Sequence, residues 1–68
     1  MSKVYKFYAD AGHGWLAVKT QELHDLGIFD QITLYSYIKG QTTMLEEDYD
    51  MYLFSKAYEE KYGKKPYY

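Results

Sequence analysis

Two stretches of the chain alternate apolar and polar residues, and each runs through a glycine-bearing turn into a second such stretch. Alternation with period two marks a strand with one buried face and one open face. In "VYKFYA" (4–9), Tyr5, Phe7 and Ala9 fall on one side, with Val4, Lys6 and Tyr8 on the other. "ADAGHG" supplies turn residues, and "WLAVK" (15–19) returns with Leu16 and Val18 sharing a face. The pattern predicts an antiparallel hairpin. A second hairpin is expected from "ITLYSYIK" (32–39), the turn "KGQT" and the return "TTMLEE" (42–47). Ile32, Leu34, Ser36 and Ile38 share one face of its first run, and Thr33, Tyr35 and Tyr37 share the other. Gly40 stands where a two-residue turn needs a positive φ.

Each hairpin leads into a helical segment. Thr20 is the expected N-cap of a short helix over Gln21 to Leu26, with Leu23 and Leu26 on one stripe and Gly27 closing it. Asp48 or Asp50 is expected to cap a longer helix that reaches about Tyr62 and ends at Gly63. Its apolar face carries Met51, Phe54, Ala57, Tyr58 and Tyr62, opposite Lys56, Glu59 and Glu60. The order ββαββα defines an α+β fold, a small two-layer domain whose antiparallel sheet is covered by one short and one longer helix. One domain is expected over residues 1–63, followed by "KKPYY" (64–68) as a flexible C-terminal tail.

A 68-residue chain buries a small core and is marginally stable alone. Small domains offset this with disulfides, metals or partners, and the absence of cysteine excludes disulfides and disfavours a zinc cage. Self-association or docking on a larger partner is therefore expected. Aromatic residues make up 21% of the chain, including ten tyrosines, more than so small a core can hide. The eight basic residues are all lysines and the net charge is −2, which disfavours a sequence-specific DNA binder. Neither a signal-peptide core nor an apolar stretch of about 20 residues is found, so a cytoplasmic protein without membrane attachment is expected.

Three places in the chain could carry chemistry or recognition. His13, between Gly12 and Gly14, is either a displayed titratable group with Asp10 close by or the occupant of a hairpin turn that sets up Trp15 as an interface anchor. No hydroxyl or thiol nucleophile accompanies it in the loop, and His24 stands at no metal-motif spacing. Glu46, Glu47, Asp48 and Asp50 place four carboxylates within five residues. They can favour the start of a helix or meet a basic partner. Tyr35 and Tyr37 form either a packed layer or a platform on which single-stranded bases stack. The residues assign no catalytic group, metal or cofactor.

"GHGWL" (12–16), "LGI" (26–28), "YSY" (35–37) and "LEED" (45–48) stand in the order of a family of small phage and bacterial mobile-element proteins of no established function, which the chain resembles over about residues 8 to 54. The resemblance implies a protein of phage or mobile-element origin in a bacterial host cell. Its expected positions of interaction are His13, Trp15, Tyr35, Tyr37, Glu46, Glu47 and Asp48. "GWLAVKTQELHDLGI" followed by "ITLYSYIKGQTTMLEE" is also similar, over about half the chain, to AbrB-type swapped-hairpin regulators. Lys19 and Thr20 replace the proline that opens their short helix, and their DNA-binding arginines are missing. That likeness implies an interlocked homodimer more than DNA contact. Together these features point to a non-enzymatic protein acting on a host or phage protein partner, with a nucleic-acid-associated regulator as the alternative.

Overall fold

The computed structural model describes residues 4–68; residues 1–3, counted in the expected domain, lie outside the described residues. Strands β1 (Lys6–Asp10), β2 (His13–Lys19), β3 (Tyr37–Lys39) and β4 (Thr42–Glu46) form one antiparallel sheet in the order β1-β2-β4-β3. Helix α1 (Thr20–Asp25) follows the first hairpin, and α2 (Asp50–Tyr62) follows the second. The ββαββα α+β architecture is thus present, with the two hairpins joined through their second strands at the centre of the sheet.

The core lies on one side of the sheet. Leu16 and Val18 of β2 and Leu45 of β4 meet Leu23, Ile28 and Phe54, all buried, and Tyr5 closes the end of the cluster. The Tyr5 ring stands edge-on to Phe54 at 5.3 Å and to Tyr58 at 6.1 Å. Phe54 is fully buried, and truncating such a ring costs about 3–5 kcal/mol. Met51, Ala57 and Tyr58 pack against the cluster from α2, as their spacing predicts, while Tyr62 lies exposed against Tyr58.

Turn chemistry follows the glycines. Gly12, Gly27, Gly40 and Gly63 all have positive φ, and Gly63 ends α2 with its N–H on the Glu59 carbonyl. The first hairpin is tighter than expected, however. Asp10 pairs with His13, so the turn is Ala11–Gly12, and His13 opens β2. Gly14 is a buried strand residue without positive φ. An added Cβ there would come within 2.5 Å of the Phe7 ring and 2.7 Å of a Glu47 carboxylate oxygen.

Three expectations about local structure are corrected. The run 32–39 is a strand only at Tyr37–Lys39; residues 33–36 form a turn instead. The cause is Asp50, whose carboxylate reaches across from α2 to hold Thr33 and Ser36. Secondly, neither Asp48 nor Asp50 caps α2: the N-cap is Tyr49, and Asp50 is the first helical residue, wholly buried. Thirdly, α1 begins at Thr20 with Lys19 as N-cap. There the Lys19 N–H donates to Glu22, and the Thr20 hydroxyl pairs with that of Thr43. The last residues, expected as a tail, make contacts of their own. The Tyr5 N–H donates to the Tyr67 carbonyl at 2.8 Å, Pro66 is buried, and the Tyr68 hydroxyl meets that of Ser55.

Candidate docking surface on the open face of the sheet

Because successive strand residues point to opposite faces, the residues between the core positions share the side away from α1 and α2, which pack on the core face. The pairing sets them in rows. Lys19, Thr42 and Lys39 form the row at one end; Lys6, Ala17, Met44 and Tyr37 come next. Tyr8, Trp15 and Glu46 form the third row, and Asp10 with His13 closes the face at the hairpin tip. The face therefore changes character along the strands, from lysine through aromatic to carboxylate.

Trp15 is its centre. The His13 ring stacks on it, 5.8 Å between centroids and 9° between planes, as residues two apart on one strand face can. On the other side Tyr37 meets the indole edge-on at 5.1 Å and 72°. Such pairs contribute about 0.5–1.5 kcal/mol beyond their buried area and hold the rings in fixed orientations. Tyr8 and Tyr37 remain about half exposed, at 49% and 47%. His13 Nδ1 lies 3.9 Å from a carboxylate oxygen of Asp10, close enough for an ion pair when the imidazole is protonated.

Beside Trp15 the surface sinks into a depression of about 360 Å³ lined by His13, Tyr35, Glu46, Asp48 and Tyr49 as well as the indole. Tyr35 reaches it from the turn clasped by Asp50, three-quarters exposed. Glu46 accepts the Asp48 N–H, which fixes the chain as it leaves β4. Across the lysine end runs a broader hollow of about 710 Å³ that Trp15, Tyr8, Tyr37, Lys6, Lys19 and Lys39 help to line.

Of the seven positions expected to interact, six come together here. His13, Trp15, Tyr35, Glu46 and Asp48 border the depression, and Tyr37 joins them through its contact with Trp15. Glu47 does not: its carboxylate lies beside Gly14, on the strand position that faces the core side. Tyr35 and Tyr37 meet the site from a turn and a strand respectively, not from one strand face. The residues overlooked are Tyr8, Tyr49, Lys6, Lys19 and Lys39. The alternation of "VYKFYA" already placed Lys6 and Tyr8 off the core face, and only the register unites them with the other two lysines.

The site holds aromatic rings, carboxylates and an imidazole, with no serine or threonine hydroxyl beside His13 among the residues that border the depression. Among the described residues no group of three or more histidine, aspartate or glutamate side chains is placed to hold a metal ion, and His24 stacks on Phe29 at 4.1 Å. No helix of the described residues is long and apolar enough to cross a membrane. No family model matches this chain, and neither does any curated protein or solved structure.

Proposed function

We propose that this chain is a non-enzymatic docking protein that binds another protein through the aromatic and acidic end of its open sheet face. The observation that carries this is the position of Trp15, held between the His13 and Tyr37 rings at the rim of a depression bordered by Glu46 and Asp48. Exposed aromatic faces beside carboxylates attract a lysine or arginine side chain by both cation–π and charge attraction. A pre-ordered tryptophan is also the kind of anchor on which interface energy concentrates. The partner surface is therefore basic. Resemblance of the "GHGWL", "LGI", "YSY" and "LEED" segments to small phage and mobile-element proteins supports a role in modulating a host or phage protein in the bacterial cytoplasm.

Lys6, Lys19 and Lys39 around Tyr8 and Tyr37 are the one feature that favours single-stranded nucleic acid instead. Asp10, Glu46 and Asp48 on the same face repel phosphates, and this weighs for a protein partner.

The test is a titration of a labelled lysine/arginine-rich peptide against the protein, followed by anisotropy. Binding is expected to weaken by about tenfold or more in Trp15→Ala and in Glu46→Gln/Asp48→Asn. Affinity capture from host lysate with the wild type and Trp15→Ala then identifies the partner. Absence of basic-peptide binding, or binding and capture indifferent to Trp15, rejects the proposal.

A further inference from the structure

The open face has opposite charge at its two ends, and we infer that it is self-complementary: two copies of this chain pack face to face with their strands antiparallel. The inference rests on the preceding one, that the carboxylate end of the face takes basic side chains, and it names whose they are.

A closed two-fold interface uses the same patch on both copies, so each feature must meet its own complement after the rotation. Two face-to-face arrangements are available to a sheet. With the axis along the strands, the strand order is reversed but the ends are not: the lysine row of one copy lies over the lysine row of the other, and the Asp10 end over the Asp10 end. With the axis in the plane of the sheet and perpendicular to the strands, the ends exchange. Strand order is kept, so the lysine end of each copy faces the carboxylate end of the other. Lys19 lies over His13 with Asp10 one strand aside, Lys39 lies diagonally across from Glu46, and Trp15 and Tyr37 lie near the axis. Only the second arrangement matches charge, and like charges across an interface are costly.

Sheets stacked face to face lie about 10 Å apart, a gap that tyrosine, tryptophan and lysine side chains fill from both sides. Tyr8 and Tyr37, about half exposed in the single chain, lose that exposure. A nucleic acid would satisfy the lysines and leave the carboxylates of the same face opposed to phosphates; a second copy satisfies both. The face spans about 20 Å along β2 and about 14 Å across four strands, by ordinary strand dimensions. This is small beside the roughly 800 Å² per partner of a standard interface, so the dimer forms in the micromolar range and dissociates on dilution. Dissociation uncovers Trp15 for the basic segment of a different partner, which competes with self-association for the same carboxylates.

The experiment is sedimentation equilibrium of the full chain from about 5 to about 500 µM at low and high salt. Wild type is expected to pass from monomer to dimer, with association weakened about tenfold between about 0.05 and 0.5 M salt. Lys19→Glu/Lys39→Glu makes both ends of the face acidic, and Asp10→Lys/Glu46→Lys makes both basic. Each variant alone is expected to remain monomeric, and an equimolar mixture of the two is expected to form the heterodimer. Circular dichroism of each variant verifies that these surface changes leave the fold intact. A wild type that stays monomeric to about 500 µM overturns the inference. So does a charge-reversed variant that self-associates as wild type does, or a mixture that fails to pair. If basic peptide still binds beside Trp15 in those cases, the docking reading stands and self-association alone falls; if it does not, both fall. Binding of an oligothymidylate with a steep salt dependence by a chain that does not dimerise would assign the lysines to nucleic acid instead.

Discussion

Asp50 accepts both hydrogen-bond donors of Thr33: one carboxylate oxygen takes the backbone N–H at 3.0 Å and the hydroxyl at 2.8 Å. The same oxygen takes the Ser36 hydroxyl, whose oxygen in turn accepts the Glu46 N–H at 2.8 Å. One buried carboxylate at the start of α2 therefore organises the turn that carries Leu34 and Tyr35 and ties it to the end of β4. Charge-assisted bonds of this kind are worth more than neutral ones, and the group is fully buried.

Asp50→Ala is accordingly expected to lower stability by about 2–3 kcal/mol, since it leaves the Thr33 N–H without its partner. Thr33→Val, which keeps the N–H and removes one hydroxyl, is expected to cost about 1 kcal/mol. Urea denaturation measures both. Hydrogen exchange should show the Thr33 N–H far less protected in Asp50→Ala, and equal protection would mean that the clasp does not order the turn.

Gly14 offers a test with a decisive sign. An interior strand glycine replaced by alanine ordinarily gains stability, by about 0.5–1 kcal/mol. At this position the new methyl overlaps the Phe7 ring and the Glu47 carboxylate, so Gly14→Ala is expected to lose about 1 kcal/mol and Gly14→Val more. Both obstructing atoms are side-chain ends, which keeps the alanine cost modest. Thermal melts of the two variants and wild type give the order.

Much of this architecture is legible along the chain because its causes are local. Gly12, Gly40 and Gly63 mark backbone that other residues enter with strain, and Leu16, Val18 and Phe54 follow the periods of their elements. What fails is the run 32–39, where the apolar face is interrupted only by Ser36 and the strand occupies three residues. Its Thr33 and Ser36 hydroxyls look like ordinary strand positions until Asp50, 17 and 14 residues away, draws them together. The same carboxylate looks like a cap because acidic residues at helix starts generally are. The docking surface divides in the same way. His13, Trp15 and Lys19 share one face of one strand and Lys6 joins them through the first hairpin, whereas Tyr37, Glu46 and Lys39 join only through a strand order that no local pattern contains.

Leu34 sits at the tip of the clasped turn and is fully exposed, with Ile38 more than half exposed beside it. A leucine that buries nothing in the folded chain contributes no transfer energy to folding. Leu34→Ser is therefore expected to leave stability within about 0.5 kcal/mol of wild type, the usual range for surface changes. Leu23→Ala, by contrast, removes a fully buried side chain and is expected to cost about 2–5 kcal/mol. A comparable loss in Leu34→Ser would show that the turn is covered in solution, and sedimentation of that variant would then reveal whether a second copy covers it.

Tyr5 gives the fold a dependence on alkaline pH. Its hydroxyl donates to Glu22 at 3.0 Å, and that carboxylate also takes the Lys19 N–H at the start of α1. Burial, followed by the hydrogen bond and charge of Glu22, pushes the phenol well above its ordinary value. The folded chain thus keeps a proton that the unfolded chain releases above about pH 10. Where the native state binds more protons than the unfolded one, stability falls as pH rises. The Tyr5 contribution is full below about pH 10 and shrinks above it, by up to about 1.4 kcal/mol for each further unit. Tyr5→Phe is expected to be about 1 kcal/mol less stable than wild type at pH 8, having lost the bond to Glu22. By about pH 11 the two should converge or exchange order, because only wild type carries the phenol. Taking the difference between the two proteins removes most of the alkaline background common to both. Paired urea denaturations at pH 8 and 11 measure it, and a difference independent of pH would mean that Tyr5 ionises as readily folded as unfolded.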